Sequence, residues 1–378
     1  MKVLFLVNIP SPYRVQFFDE LGSRCDLTVL YERRSATNRD PAWGSGEVSR
    51  HSYREIYLNG LRVGAESALA PQALKHLLDK RYDVVVVGGY STPTGAMAVA
   101  CLKALRRPFV LSVDGGYISA DDALRRRVKR FLIGAADSWL STGRGADDYL
   151  AHYGAVRERC FTYPFSSVRA KDVARCPATP AEKRLLRAEL GISHEKVVLS
   201  VGRFLGWKGF DLLIRAAARF PAGTGLYIVG GKPPQEYVSL VEENALSDRV
   251  RFVDFQQSAI LRNYYRAADL FATATRDDIW GLVVNEAMAQ GLPVISTDRC
   301  GAAQEMIEDG RNGRVVPVDD MAAFATAVNE LLNDDEMREC CAQRALETGA
   351  SYTIESMALA HLDFFERVWV PRFGRQSR

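Results

Sequence analysis

The sequence predicts an α/β protein made of two doubly wound, Rossmann-like domains facing each other across a cleft, and three observations predict it. The chain has 378 residues, long for one domain and ample for two cores. Short apolar runs alternate with helical patterns through both halves, the order that gives parallel strands covered by helices on both faces. Between the halves lies SSVRAKDVARCPATPAEKR (166–184), polar, Pro-containing and without a strand pattern. Such a stretch reads as a linker.

In the first half the expected strands are KVLFLV (2–7), DLTVLY (26–31), DVVVVGG (83–89), PFVLSV (108–113) and SWLST (138–142). Helical patterns such as SPYRVQFFDELGSR and TPTGAMAVACLKAL fill the intervals. In the second half the strands are KVVLSVG (196–202), GLYIVG (225–230), VRFVD (250–254), LFATA (270–274), PVIST (293–297) and GRVVP (313–317). The boundaries are therefore set at 1–168 for the first domain, 169–185 for the linker and 186–352 for the second domain. A last helical pattern, about 353–378, follows the completed second sheet and is expected to pack back on the first domain. Facing sheets of this kind bring their strand C-termini to a shared cleft, where their ligands bind.

Composition excludes several classes. With 47% apolar and 25% charged residues the chain is an ordinary globular protein, neither disordered nor membrane-spanning. Net charge is +3, but residues 1–180 hold 26 Lys+Arg against 18 Asp+Glu, and the remainder 23 against 28. The first half is the expected surface for anionic partners; nucleic acid is not among them. The seven cysteines show no CxxC spacing and read as reduced, mostly buried thiols of a cytoplasmic protein. The five histidines show no metal-ligand spacing. MKVLFLVNIPSPYR is too short for a spanning helix and lacks a cleavage pattern, so a first strand is expected there.

Two loops of the second half carry chemistry. In SVGRFLGWKGFDLLIRAA (200–217), Gly202 ends a strand and Arg203 and Lys208 follow it. Two cations in a short loop suit a diphosphate, Arg by its fork and Lys as a point charge; a solvated strand-to-helix loop would look the same. In LFATATRDDIWGLVVNEAMAQGLPVIST (270–297), Gly281 opens a helix whose free N–H groups and dipole form an anion site. Glu286, just over a turn further on, is an acceptor-only group able to take both hydroxyls of a ribose diol. Asp278 precedes the helix and could take sugar hydroxyls, or could be the helix N-cap.

Together these motifs resemble the GT-B glycosyltransferases of family 4, the retaining nucleotide-sugar group. The resemblance runs over nearly the whole chain and is strongest at 197–320, where Asp278 and Glu286 match the pattern of an acid, seven residues and a Glu, with the usual first Glu shortened to Asp. It implies that Glu286 binds the ribose, Asp278 the transferred sugar, and Arg203 with Lys208 the diphosphate. Backbone amides near Gly281 and Leu282 would share the phosphate load, with Gly202 and Trp280 completing the donor set. It also implies retention of configuration, with neither cofactor nor metal; the chain contains no Asp-x-Asp.

In the first domain Asp114-Gly115-Gly116 ends a buried strand. Relatives often carry His near the reacting sugar there. Asp114 could stabilise charge at the anomeric carbon, orient the acceptor hydroxyl, or simply begin a turn. The loop NIPSPYR has Pro12, Tyr13 and Arg14 where many relatives have Gly-Gly; these residues, Gly89 and Gly115 are the candidate acceptor contacts. ALRRRVKRFLIGAA (123–136) puts Leu124, Val128, Phe131 and Leu132 on one helical face and five cations on the rest. That suits either an anionic membrane surface or a core-packed helix with a solvated face.

The expected activity is transfer of a hexosyl unit from a nucleoside diphosphate sugar to a saccharide or lipid-linked acceptor hydroxyl. The setting would be bacterial-type polysaccharide, lipopolysaccharide or glycolipid synthesis, in the cytoplasm or peripheral at the inner face of the membrane. The alternatives are an epimerase of the same fold and a non-catalytic nucleotide-sugar-binding protein. A dehydrogenase is excluded because no first strand runs into GxGxxG.

Overall fold

The computed structural model describes residues 1–35 and 51–373. The chain divides into two units, Met1–Ser166 with Ile354–Arg378, and Ser167–Thr353.

The first unit holds β1 (Lys2–Val7), β2 (Asp26–Tyr31), β3 (Arg54–Tyr57), β4 (Leu61–Val63), β5 (Ser67–Leu69), β6 (Val84–Val87), β7 (Val110–Val113), β8 (Ser138–Ser141) and β9 (Cys160–Thr162). Seven of these form one parallel sheet in the order β3-β2-β1-β6-β7-β8-β9, while β4 and β5 pair as a separate antiparallel ribbon. The strand order reverses between β1 and β6, the switch point at which a doubly wound sheet opens a crevice. All five expected strands form. Beyond them come β3, β9 and the ribbon, whose residues include half-buried and exposed positions and therefore lack the continuous apolar run that marks an internal parallel strand.

The second unit holds β10 (Lys196–Val201), β11 (Thr224–Val229), β12 (Val250–Val253), β13 (Leu270–Thr273), β14 (Val294–Thr297) and β15 (Gly313–Val316), all parallel in the order β12-β11-β10-β13-β14-β15. These are the six expected strands. Their core is closed by Phe210, Leu213 and Ile214 on one helix and by Phe324, Val328 and Leu331 on another.

The stretch expected to be a linker, 169–185, is part of the second unit. Ala174 N–H donates to the Ala289 carbonyl at 2.9 Å, and the helix Pro180–Glu189 packs on the helix Ser258–Ala267. It docks through charge. Lys183 and Arg187 bridge Asp269 at 2.9 and 2.8 Å, and Arg266 grips Glu182 at 2.6 Å. None of its residues is fully buried, so it presents no apolar stripe to read.

The C-terminal helix Ile354–Phe364 lies in the first unit against the helix Pro12–Gly22; residues 374–378 lie outside the described residues. Phe5, Phe17, Tyr163 and Phe365 surround His361, whose Nδ1 faces the Met357 carbonyl at 2.8 Å. Burial pulls His361 down to about 4, so it is neutral at pH 7. The cysteines depart from expectation: all are free thiols, but only Cys300 and Cys341 are buried, and Cys176 and Cys340 are exposed.

Candidate active site

In each unit the residues of interest sit just past the C-terminal ends of its strands. In the second unit, β10 ends at Gly202 and the chain passes through Arg203, exposed, to a short turn at Gly206–Lys208. Gly209 then starts the helix Phe210–Ala217 with φ +68°, and a Cβ there would lie 1.8 Å from the Ala274 carbonyl oxygen. Only glycine lets this loop close down on the end of β13. Lys208 Nζ meets Asp278 Oδ2 at 2.5 Å, each side chain being 20% exposed. The two residues assigned from sequence to diphosphate and sugar are thus ion-paired.

Asp278 is held in place by its backbone: its N–H donates to Arg299 O at 3.0 Å, and Gly301 N–H donates to its carbonyl at 3.0 Å. It is not the helix cap. That place belongs to Gly281, at φ +95°, where a Cβ would lie 2.6 Å from Cys300 Sγ. The helix Leu282–Ala289 therefore begins with no side chain over its first turn from the cap, leaving N–H groups for an anion. Arg276 anchors the preceding loop, bridging Asp211 at 2.8 Å and Asp319 at 2.6 Å. The Trp280 side chain is buried, and its indole N–H donates to Asn285 Oδ1 at 2.7 Å. The indole is therefore held inside the protein.

Glu286 is half-buried, and its partners are neutral. Oε1 accepts from Ser167 Oγ at 3.1 Å and Oε2 from Tyr265 Oη at 3.0 Å. Burial raises its carboxyl above the usual range, while Tyr265 and Ser167 pull it back down. Among the described residues no cation pairs with it. A carboxylate offers about four acceptor positions, and two hydroxyls leave capacity for two more. Ser167 and Tyr265 were missed from sequence; a Ser in a polar stretch and a Tyr on a helix carry no signal of their own.

In the first unit Arg14 and Asp114, expected as separate acceptor and catalytic residues, form an ion pair at 3.1 Å. Arg14 Nη1 also donates to Asn8 Oδ1 at 2.8 Å. Burial works against the Arg14 charge, but Tyr13, Asp114 and Tyr163 hold its pKa above the ordinary value. The pair lines a cavity of about 30 Å³ with Gly88, Ser112, Tyr163 and His361. Tyr13 turns its ring edge to Phe165, centroids 5.4 Å apart, and Pro12 opens its helix at the first turn. Gly89 and Gly115, at φ +137° and +121°, turn the chain after β6 and β7. Asp114 is thus a carboxylate clamped by a guanidinium, and more than a turn residue.

On the helix Ala123–Ile133, Leu132 and Ile133 are buried, whereas Leu124, Val128 and Phe131 are 71%, 47% and 54% exposed. The core-packed alternative holds only for its last turn. Lys129, expected on the basic face, is drawn to Asp121 at 2.9 Å and lies 4.7 Å over the Tyr153 ring. Among the described residues no three His, Cys, Asp or Glu side chains converge on a metal-binding group, and no helix is long and apolar enough to cross a membrane.

Comparison with known proteins agrees with this geometry. Residues 182–348 match the family model described as glycosyl transferases group 1. The chain is 37% identical over 153 residues to the lipopolysaccharide core biosynthesis glycosyltransferase LpsE of Rhizobium meliloti, covering 40% of this chain and 44% of that one. It is 33% identical over 242 residues to the D-inositol 3-phosphate glycosyltransferase of Corynebacterium glutamicum, covering 61% and 57%. The chain thus spans about half the length of the curated relatives it matches. Among solved structures, HepE of Anabaena in complex with UDP superposes with a TM-score of 0.78 at 19% identity, over 97% of this chain and 100% of that one. The sucrose-phosphate synthase of Thermosynechococcus elongatus gives 0.76 at 21%, over 98% and 100%. Residues 182–348 of the second unit thus carry the likeness to the glycosyl transferases group 1 family, and the solved structures show a GT-B fold.

Proposed function

We propose that the chain is a retaining, metal-independent glycosyltransferase of family 4 that moves a hexosyl unit from a nucleoside diphosphate sugar to an acceptor hydroxyl. The observation that carries the reading is Glu286: a half-buried carboxylate that, among the described residues, accepts from two hydroxyls and pairs with no cation, one helical turn inside an open helix N-terminus. That is a site for a diol beside a phosphate. Relatives described as complexes with UDP and with UDP-glucose, and one described for lipopolysaccharide core biosynthesis, support a nucleotide-sugar donor and a glycan or glycolipid product.

In this reading the diphosphate takes Lys208 away from Asp278, joining Arg203 and the first N–H groups of the helix Leu282–Ala289. Asp278, released from its ion pair, then accepts hydroxyls of the sugar. As the bond from C1 to the phosphate oxygen breaks, its electrons go to the diphosphate, where these cations hold the charge. The acceptor oxygen bonds to C1 on the same face and its proton passes to the departing phosphate oxygen. Asp114, fixed by Arg14, supplies negative charge near the developing positive centre or orients the acceptor hydroxyl.

The same reading places the work in the cytoplasm, at the inner face of a membrane. Support comes from the exposed row Leu124, Val128 and Phe131 flanked by exposed Arg125, Arg126, Arg127 and Arg130, a pattern suited to anionic lipid. Arg126→Glu with Arg130→Glu should release the protein from anionic vesicles at low salt. Wild-type protein that never sediments with such vesicles removes the membrane contact.

The test of function is incubation with a panel of nucleoside diphosphate sugars. Slow hydrolysis of one donor without acceptor, with the α-linked donor releasing α sugar first, supports a retaining transferase. Tight binding without any turnover supports the non-catalytic alternative.

A further inference from the structure

A second cavity of the first unit, about 300 Å³, opens beyond the ends of β2 and β3 and is lined by Glu32, Arg33, Arg34, Tyr57, Asn59 and Arg62. Its three arginines have different roles. Arg33 is buried and locked, its Nη1 donating to the carbonyls of Gly64 at 3.0 Å and Ala65 at 2.7 Å. Arg34 lies over the Tyr57 ring, its guanidinium carbon 4.2 Å from the centroid, and Tyr57 is itself stacked on Tyr31 at 5.4 Å and 23°. Stacking holds the plane of a guanidinium and leaves its edge N–H groups unused. Arg62 is exposed on β4. Among the described residues neither Arg34 nor Arg62 has a carboxylate partner. The one acid of the cavity, Glu32, is buried and engaged elsewhere, accepting from Ala68 N–H at 2.9 Å and Thr92 Oγ1 at 2.5 Å.

The loop that carries the cavity is tied to the loop that holds Arg14 by one backbone bond. Arg33 N–H donates to the carbonyl of Asn8 at 2.9 Å, and the Asn8 side chain holds Arg14. A guanidinium over an aromatic ring, a second arginine, neither with a carboxylate partner among the described residues, and a concave wall form a receptor for a planar or tetrahedral oxyanion. We infer that this cavity holds an anionic group, a phosphate or carboxylate, carried by the acceptor whose hydroxyl is presented at Asp114. The inference rests on the transferase reading and narrows its acceptor to an acidic one. A neutral saccharide would leave Arg34 and Arg62 without a counter-charge among the described residues.

The test is arginine modification by phenylglyoxal on the resting wild-type protein, followed residue by residue by peptide mass spectrometry at matched ionic strength. Exposed Arg106 serves as internal reference. Glucose 6-phosphate should slow modification of Arg34 and Arg62 at least fivefold and leave Arg106 unchanged, while glucose at the same concentration protects neither. In an Arg62→Ala variant the protection of Arg34 should fall by more than half, since both hold one group. Absence of protection, or equal protection of Arg106, overturns the site. Inorganic phosphate that protects as well as the sugar phosphate overturns the acceptor assignment, because the sugar then adds nothing. No donor or turnover enters the measurement. Protected arginines in a protein that never transfers sugar would therefore refute the transferase reading alone.

Discussion

Glu286→Gln isolates the part of the site on which the functional reading depends. In the resting protein the carboxylate accepts from Tyr265 at 3.0 Å and Ser167 at 3.1 Å. Gln keeps one oxygen for one of these hydroxyls and turns an amide donor toward the other, which can accept. The substitution also removes a carboxylate whose ionisation is opposed by burial. These changes offset, so stability at pH 7 should move by no more than about 1 kcal/mol. Ligand binding should respond differently. A ribose hydroxyl loses a charged acceptor, a bond of about 1.5–3 kcal/mol, so a ribonucleoside diphosphate should bind roughly 10- to 150-fold more weakly. The pH dependence has a fixed sign. Because the native carboxyl is raised, its favourable contribution to folding is complete below about pH 4.5 and is lost as pH rises through the native value. Ligand affinity of the wild type runs the opposite way, rising with pH through that value, and in the Gln variant it is flat there. Calorimetry with UDP and with pyrophosphate, which has no ribose, between pH 5 and 8 reads both effects. Equal weakening of the two ligands, or an unchanged affinity for UDP, would refute the ribose assignment.

The other predictions concern the remaining charged groups. Lys208→Ala should weaken UDP and the matching sugar nucleotide alike, whereas Asp278→Asn should leave UDP as tight or tighter, because Lys208 loses its internal partner, and should penalise only the sugar nucleotide; calorimetric loss of both ligands in Asp278→Asn would remove the sugar contact. Asp114→Asn keeps its shape beside Arg14 but not its charge, so turnover should fall at least tenfold with donor affinity unchanged; steady-state rates that match wild type would leave Asp114 a positioning residue for Arg14. His361, held down to about 4 by burial, stabilises the fold fully above about pH 6.5. That contribution fades as pH falls toward 4, a change of about 3 kcal/mol. Urea unfolding of wild type and His361→Leu at pH 7 and pH 4.5 should show the variant losing this slope, and parallel losses would contradict it.

Much of this protein was legible without coordinates because its sheets are internal and parallel. A strand covered on both faces reads as a near-continuous apolar run, which is why the internal strands of both units stand out; the edge strands β12 and β15, each carrying an Arg, are still legible from the apolar residues beside it. The strand-to-helix loops ending in Gly202 and Gly281 are visible for a related reason: a parallel sheet exposes only its strand ends, so a cation, an acid or a glycine there stands out. The edge strands β3 and β9 were not legible, being short and partly exposed. Nor was the docking of the helix Pro180–Glu189, which is held by Lys183, Arg187 and Glu182 where an apolar face would have been readable. The polar partnerships belong wholly to the tertiary structure. Lys208 and Asp278 are 70 residues apart, Arg14 and Asp114 are 100, and Glu286 meets Ser167 across 119. Hydrophobic periodicity is a property of neighbours in the chain, so the sequence could assign these residues to strand ends one at a time. Which charge neutralises which depends on the few ångströms between loops carried by different strands, and only the folded sheet sets that distance.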